Sequence, residues 1–377
     1  MGKATRAARK RKRRMAFFVF EIIVLALLIA ALFFFAKINR ALDGISEEDF
    51  NSEVVETNEG IDHDTLKGST NIALVGLDTR EDGSADSGLM NSDTMIMASI
   101  NNDTKEVKLV SVYRDTLLNV GNDRYTRANE AYATGGPEKF LTMLNRNLDM
   151  NINDYVTVDF SAVVHAIDIL GGIDDVELTY EEIVHLNNYC IGTSEATGAS
   201  YEPLPEVQGV YDLSGVQAVS YARIRYGDGL DFRRAARQRL IIDKMVAKVK
   251  ANPLKLNELM DKIVKKEYIT TSLSSSEMMK MGLSMLSYNF AENGQVGFPF
   301  RHLFGEKVKN AVGQDVVLPV TLEFNVVELH NFLYPEAAYE PSSTVKEYSD
   351  YIISVSGFGE NSIPSESEDG TIPPLEE

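Results

Sequence analysis

The chain has 377 residues, enough for one large domain or two ordinary ones with a proper core. A hydrophobic fraction of 44% and an aromatic fraction of 9% exclude wholesale disorder. The single cysteine, Cys190, excludes an intrachain disulfide framework and a cysteine-based zinc site, and a formal charge of −19 argues against charge-driven binding of nucleic acid.

Eight basic residues (Lys3, Arg6, Arg9, Lys10, Arg11, Lys12, Arg13 and Arg14) precede an apolar run from Ala16 to Ala36. At helical rise such a run is about 30 Å long, the thickness of a bilayer's hydrocarbon core. The basic block alone resembles a nucleic-acid or nuclear-targeting patch, but its abutment on the apolar run fits the positive-inside rule better. A cleavable signal peptide fits poorly, because the run exceeds an h-region of about 7–15 residues and no small-x-small site follows. The expectation is an uncleaved single-pass anchor in a cell membrane, with its N-terminus in the cytoplasm and the domain outside. Removing the eight basic residues takes the formal charge from −19 to −27, so any arginine cluster beyond them stands out.

The expected organisation is a basic tail (1–15), a transmembrane anchor (16–36), a polar, acidic stalk (37–67), a folded domain (68–340) and an acidic, mostly disordered tail (341–377). Within the domain, Asn71–Leu77, Thr94–Ile100 and Val107–Tyr113 read as strands. Pro137–Leu148 has a helical apolar pattern, Tyr155–Phe160 reads as a strand, and Ser161–Leu170 reads as a helix stopped by Gly171-Gly172. Ala218–Tyr226 is predicted as a strand, followed by a long helix capped at Asp231 and running to about Lys250. Further helices are predicted at about Lys255–Lys265 and Ser276–Tyr288. Interleaved helices and strands define an α/β (mixed α+β) class with a central mixed sheet flanked by helices.

Closing the hairpin of the second and third strands symmetrically sets Asp93 opposite Arg114. If the first strand is also a neighbour, Asp78, Asp93 and Arg114 emerge at one end of the sheet. Two carboxylates there suit a hard divalent cation such as Mg2+, although strand-end aspartates more often only terminate turns. A second cluster comprises Arg223 and Arg225, two apart and on one face of the predicted strand, then Arg233, Arg234, Arg237, Gln238 and Arg239. Arg234 and Gln238 share a helix face with Arg237 beside them, and Arg234 lies near the helix N-terminus, where an anion is favoured. Planar guanidinium forks suit a phosphate clamp; the plainer reading is an arginine-laced surface. Arg127 and Asn129 are weaker candidates of the same kind. No Walker loop, dinucleotide fingerprint, HExxH or nucleophile-elbow serine occurs, and the five histidines have no ligand spacing.

These residues, in this order, resemble the LytR-CpsA-Psr (LCP) family of Gram-positive cell-wall enzymes. The matching pieces include Asn71 to Arg80, Ser92 to Met95, Ser111 to Thr116, Arg127 to Gly136, Asp159-Phe160, Gly171 to Asp174, Leu213 to Gly215 and the arginine run, over about residues 70–250. The resemblance implies a single LCP-like domain enclosing a hydrophobic lipid pocket. It implies transfer of a polyprenyl-pyrophosphate-linked glycopolymer, such as a teichoic acid or capsular polysaccharide, onto peptidoglycan, forming a phosphodiester and releasing polyprenyl phosphate. By motif, Asp78 and Asp93 hold Mg2+ (or Mn2+), and Arg114, Arg223, Arg225 and Arg234 grip phosphates with Gln238 close by. Arg80 and Arg127 add substrate contacts, and Asp78, Asp93, Arg114 and Arg225 form the catalytic group. Arg127 stands where the family often has lysine, and Asn91 where some members have arginine. A hydrolase on the same residues and a non-catalytic lipid-binding regulator of the envelope remain alternatives.

Overall fold

The computed structural model describes residues 50–61, 66, 68–77, 92–225, 230–263 and 269–362. The predicted anchor (16–36), Asp78, Arg80 and the C-terminal acidic stretch from 363 lie outside the described residues. Among the described residues no helix is long and apolar enough to cross a membrane.

The core of the molecule is a six-stranded mixed sheet. It is assembled from β1 (Ser69–Leu77), β2 (Ser92–Asn101) and β3 (Glu106–Val112), to which the short hairpin β4 (Leu117–Asn119) and β5 (Tyr125–Arg127) is appended. After helix α1 (Glu130–Leu148), strand β6 (Asp154–Asp159) pairs parallel with β1, while β1/β2 and β2/β3 are antiparallel. Successive residues of β1 are apolar on both faces. Ala73 and Val75 join the core beneath α1, whereas Ile72 and Leu74 lie on the opposite face with Ile96, Ala98, Val107 and Leu109. Such near-continuous hydrophobic strands belong to a sheet covered on both sides.

The expected helix at Pro137–Leu148 is the second part of α1. Gly135 and Gly136 break it, Gly136 with φ of 64°, and Pro137 restarts it, a position where its missing N–H costs nothing. Helix α2 (Phe160–Leu170) starts on the Asp159 side chain, which accepts from the Ala162 N–H at 2.7 Å, and ends at Gly171 with φ of 89°. A small second core follows, made of α2, β7 (Ile173–Leu178), α3 (Tyr180–Thr197), β8 (Gly209–Leu213) and α4 (Gly215–Arg223).

Helix α4 corrects the strand expected at Ala218–Tyr226. Ser214 and Gln217 form a reciprocal capping box that fixes the helix start, and the apolar residues Val216, Ala218 and Val219 bury against α2 and α3. A Cβ on Gly215 would stand 2.2 Å from the Val164 carbonyl, so the two helices touch where only glycine fits. The alternation Tyr221-Ala-Arg223-Ile-Arg225 imitates a strand only because the helix ends inside it, at Ile224.

The long helix α5 (Leu230–Ala251) follows, then α6 (Leu254–Ile263), β9 (Ile269–Thr271), which pairs with β6, and α7 (Ser275–Ser284). Strand β10 (Asn289–Phe298) pairs parallel with β3 and completes the sheet order β10-β3-β2-β1-β6-β9. Beyond it lie β11 (His302–Leu303), α8 (Glu306–Val312), β12 (Leu318–Pro319), α9 (Leu322–Leu333) and α10 (Ser343–Ser356).

Both outer boundaries expected for the domain shift. Helix α10 falls in the segment read as a tail from 341, yet Val345, Tyr348 and Ile352 are buried in the main core. Residues 50–61 were expected in the stalk, yet Asn58 is buried and donates to Asp149 Oδ1 at 2.6 Å, and Phe50 packs on Tyr155 with ring centroids 5.2 Å apart. Short amphipathic segments of this kind carry too little periodicity to be told from linker.

Candidate functional site

The β2/β3 hairpin positions the first half of the site. Its ladder runs to Ile96 opposite Ser111, and continuing that register three residues sets Asp93 opposite Arg114, as expected from the sequence. Arg114 Nη1 donates to Asp93 Oδ1 at 2.5 Å. The second half arrives from the end of α4 and the start of α5. Arg225 Nη2 donates to Asp93 Oδ2 at 3.0 Å, and Arg234 Nη2 donates to the Asp93 main-chain carbonyl at 3.2 Å.

One residue thus gathers three guanidinium groups, two on its carboxylate and one on its main-chain carbonyl. Burial pushes the Asp93 carboxyl upward, but the charges of Arg114, Arg225 and Arg234 outweigh it and hold the group below the ordinary carboxylate range. The three cations gather around Asp93, with Asp115 also 3.4 Å from Arg114, and an open cleft lies beside them. That cleft is lined by Asp93, Thr94, Phe160, Tyr189, Arg223, Arg225, Arg234 and Gln238. Arg234 and Gln238, four apart on α5, both face it, as the helix spacing requires.

Arg223 reaches the cleft from the last turn of α4, not from a strand. Its guanidinium lies over the Phe160 ring at 4.7 Å and the Tyr189 ring at 5.8 Å, and donates to Thr193 Oγ1 at 2.7 Å. Arg127 stands one step out. It is half-exposed on β5 and approaches Asp115 at 3.7 Å, and Asp115 in turn meets Arg114 at 3.4 Å. Arg237, expected beside Gln238, instead turns away to Glu182 at 2.9 Å, the Ile224 carbonyl and the Tyr221 ring. It ties α5 to α3 and α4 and is not part of the cleft.

Sequence reasoning left Phe160, Tyr189, Thr193 and Thr94 without a role. Phe160 had a signal in Asp159-Phe160; the α3 residues had none, since that helix carries no motif.

The metal fit rests on Asp93. A carboxylate offers about four lone-pair sites, and the two arginines occupy two of them. Mg2+ usually takes one or two carboxylates, with waters and substrate phosphate oxygens supplying the rest. The donor type and the open cleft therefore fit such an ion. Asp78, the second expected ligand, is outside the described residues; Leu77, which precedes it, pairs with Ser92, which precedes Asp93. Among the described residues no group of three or more acidic, histidine or cysteine side chains forms a complete metal site.

The fold and cleft define an α/β protein with an arginine-lined cleft at one end of its central sheet. The chain belongs to the LytR_cpsA_psr family, whose model matches residues 33–313. It is 31% identical over 241 residues to an Enterococcus faecalis protein named polyisoprenyl-teichoic acid–peptidoglycan teichoic acid transferase TagU, covering 63% of this chain and 67% of that one. It is 29% identical over 225 residues to biofilm regulatory protein A of Streptococcus mutans, covering 56% of this chain and 52% of that one. The crystal structure of B. subtilis TagV superposes with a TM-score of 0.54 at 22% identity, covering 73% of this chain and 99% of that one, a likeness of fold. The chain thus spans two thirds of the first relative's length and about half of the second's.

Proposed function

We propose that this protein transfers a glycopolymer from a polyprenyl-pyrophosphate carrier onto peptidoglycan. The single observation that carries the reading is the convergence of Arg114, Arg225 and Arg234 on Asp93 beside an open cleft. An anion with several oxygens is what three such guanidinium groups recognise. The polyisoprenyl-linked glycopolymer and the peptidoglycan acceptor follow the name borne by the Enterococcus relative, and the pyrophosphate link is inferred from the arginine cluster.

In the reaction, a sugar hydroxyl of the acceptor attacks the phosphorus that carries the glycan. A new P–O bond forms, the P–O bond to the lipid phosphate breaks, and polyprenyl phosphate leaves with the electron pair. The acceptor proton passes to solvent water or to the released phosphate. Arg114, Arg225 and Arg234 stabilise the charge that builds on the pyrophosphate oxygens, preorganised by Asp93 before substrate arrives. Asp93 is a poor base, because its proton affinity is lowered and both its oxygens accept from arginine.

Asp93, with Asp78, is proposed to hold Mg2+ or Mn2+, which when bound supplies Lewis-acid neutralisation of the pyrophosphate. Gln238, Arg223 and Arg234 face the donor, with Arg80 and Arg127 as further substrate contacts. The prenyl chain is proposed to run along the apolar sheet face. In support, Arg234, Gln238 and Ile242 follow one another at four-residue spacing on α5, the first two at the cleft and the third among the apolar residues of that face. The basic block and apolar run at the N-terminus support anchoring by one span with the domain outside.

The test uses the full chain in detergent with a polyprenyl-pyrophosphoryl disaccharide, a peptidoglycan oligomer and Mg2+, followed by mass spectrometry. Glycan linked to the oligomer through a phosphodiester is the expected product. Released sugar phosphate without linked product would replace transfer by hydrolysis, and tight donor binding without turnover would replace it by a regulatory role.

A further inference from the structure

Helix α3 carries none of the residues that reveal the site in sequence, yet it helps to place Arg223. Thr193 is fully buried. Its hydroxyl has one proton and two lone pairs. The proton goes to the Tyr189 carbonyl at 3.0 Å, one turn back in the helix. The lone pairs therefore face two donors, Ser220 Oγ at 2.9 Å and Arg223 Nη1 at 2.7 Å. The rings of Tyr189, four residues before Thr193, and of Phe160 flank the same guanidinium. Every hydrogen-bonding position of the Thr193 hydroxyl is used, and Arg223 is held at the cleft wall by that hydroxyl and two rings.

We propose that Thr193, with the Tyr189 ring, is a positioning element that fixes Arg223 for the pyrophosphate of the donor. This rests on the function proposed above. Arginine has many rotamers, and holding it before substrate binds removes an ordering cost from each encounter. The hydroxyl sets the guanidinium's place, and the Phe160 and Tyr189 rings flank it.

The experiment compares the full chain with Thr193→Val, Thr193→Ser, Tyr189→Phe and the double variant Thr193→Val/Ser220→Ala. Thr193→Val should lower donor kcat/KM roughly tenfold, the size expected for a lost hydrogen bond to a charged group. Thr193→Ser and Tyr189→Phe should stay within about twofold, since they keep the hydroxyl or the ring. The double variant removes the stranded Ser220 donor, so its thermal midpoint should recover while its activity stays low. Activity recovering with stability would overturn the proposal, as would full activity in Thr193→Val or an equal loss in Thr193→Ser. A second readout needs no turnover: calorimetric binding of inorganic pyrophosphate, with the Arg223 Nε–H signal followed by NMR. Weaker binding and a broadened signal in Thr193→Val would uphold the positioning role even if the wild type transferred nothing. An unchanged signal and affinity would sink the role even if transfer were demonstrated.

Discussion

Asp93 and Arg225 are joined at 3.0 Å although 132 residues separate them in the chain. The contact joins the β2 end of the sheet to the end of α4, so one bond both links the two halves and lies at the arginine-lined cleft. Replacing Asp93 by alanine removes the residue on which Arg114, Arg225 and Arg234 converge. Transfer should fall by roughly 100-fold or more, the usual scale for losing a preorganising charge. The response of activity to Mg2+ should disappear with it. Stability has a pH signature as well. The Asp93 proton affinity is lowered in the fold, so its contribution is present above the unfolded value of about 4 and lost as pH falls through the lower folded one. Below about pH 4 the wild-type melting temperature should therefore decline more steeply than that of Asp93→Asn. Parallel curves would show that the cluster is not coupled to folding.

Arg225 and Arg237 sit in one sequence cluster but have different tasks. Arg225→Ala should abolish most transfer while costing the fold less than Arg237→Ala, because its side chain is 30% exposed and faces the cleft. Arg237→Ala should cost about 2 kcal/mol of stability, short of the roughly 3–5 typical of a fully buried broken pair because Glu182 keeps some solvent. Residual activity of the folded fraction should stay near wild type. Equal loss of activity in both variants would return Arg237 to the anion site.

The central strands were legible because β1, β2 and β3 are long and apolar, and the turn at Asn101–Glu106 fixes their register. That register alone brought Asp93 to Arg114. The Arg225 contact was not legible, since it depends on how α4 packs against α2 through Gly215, a tertiary close approach with no local signal. The strand expected at Ala218–Tyr226 failed for a related reason. Helix α4 is nine residues long and buried nearly all round, so its periodicity is weak, and the capping box at Ser214 and Gln217 was the one local sign of a helix. Phe160 and Tyr189 entered the site from helices whose apolar residues look like ordinary core.

Helix α10 belongs to the folded unit. Ile352 is 1% exposed in the main core, whereas Tyr351, its neighbour, is 43% exposed. Ile352→Ala should destabilise the protein by about 2–4 kcal/mol, while Tyr351→Ala should cost about 0.5 kcal/mol or little more. Chemical denaturation of the two variants checks this directly. Similar small effects in both would mean that the helix is dispensable.

His330 supplies a second pH dependence, in a different range. It is almost wholly buried, its Nε2 donates to the Leu148 carbonyl at 2.9 Å, and its ring stacks on Tyr339 at 3.7 Å. Burial pushes its proton affinity down, and the Leu148 contact and the nearby Asp149 recover only part of the shift. An unfolded histidine takes up its proton near pH 6.5, while the folded one resists to lower pH. Between those values the unfolded state binds more protons, so stability must fall as pH drops. Partly buried His302 shifts in the same direction and adds to the slope. The melting temperature should fall as pH drops below about 6.5, and His330→Gln, which keeps a donor for Leu148 but does not titrate, should show a shallower decline. The same slope in both proteins would place the titrating group elsewhere.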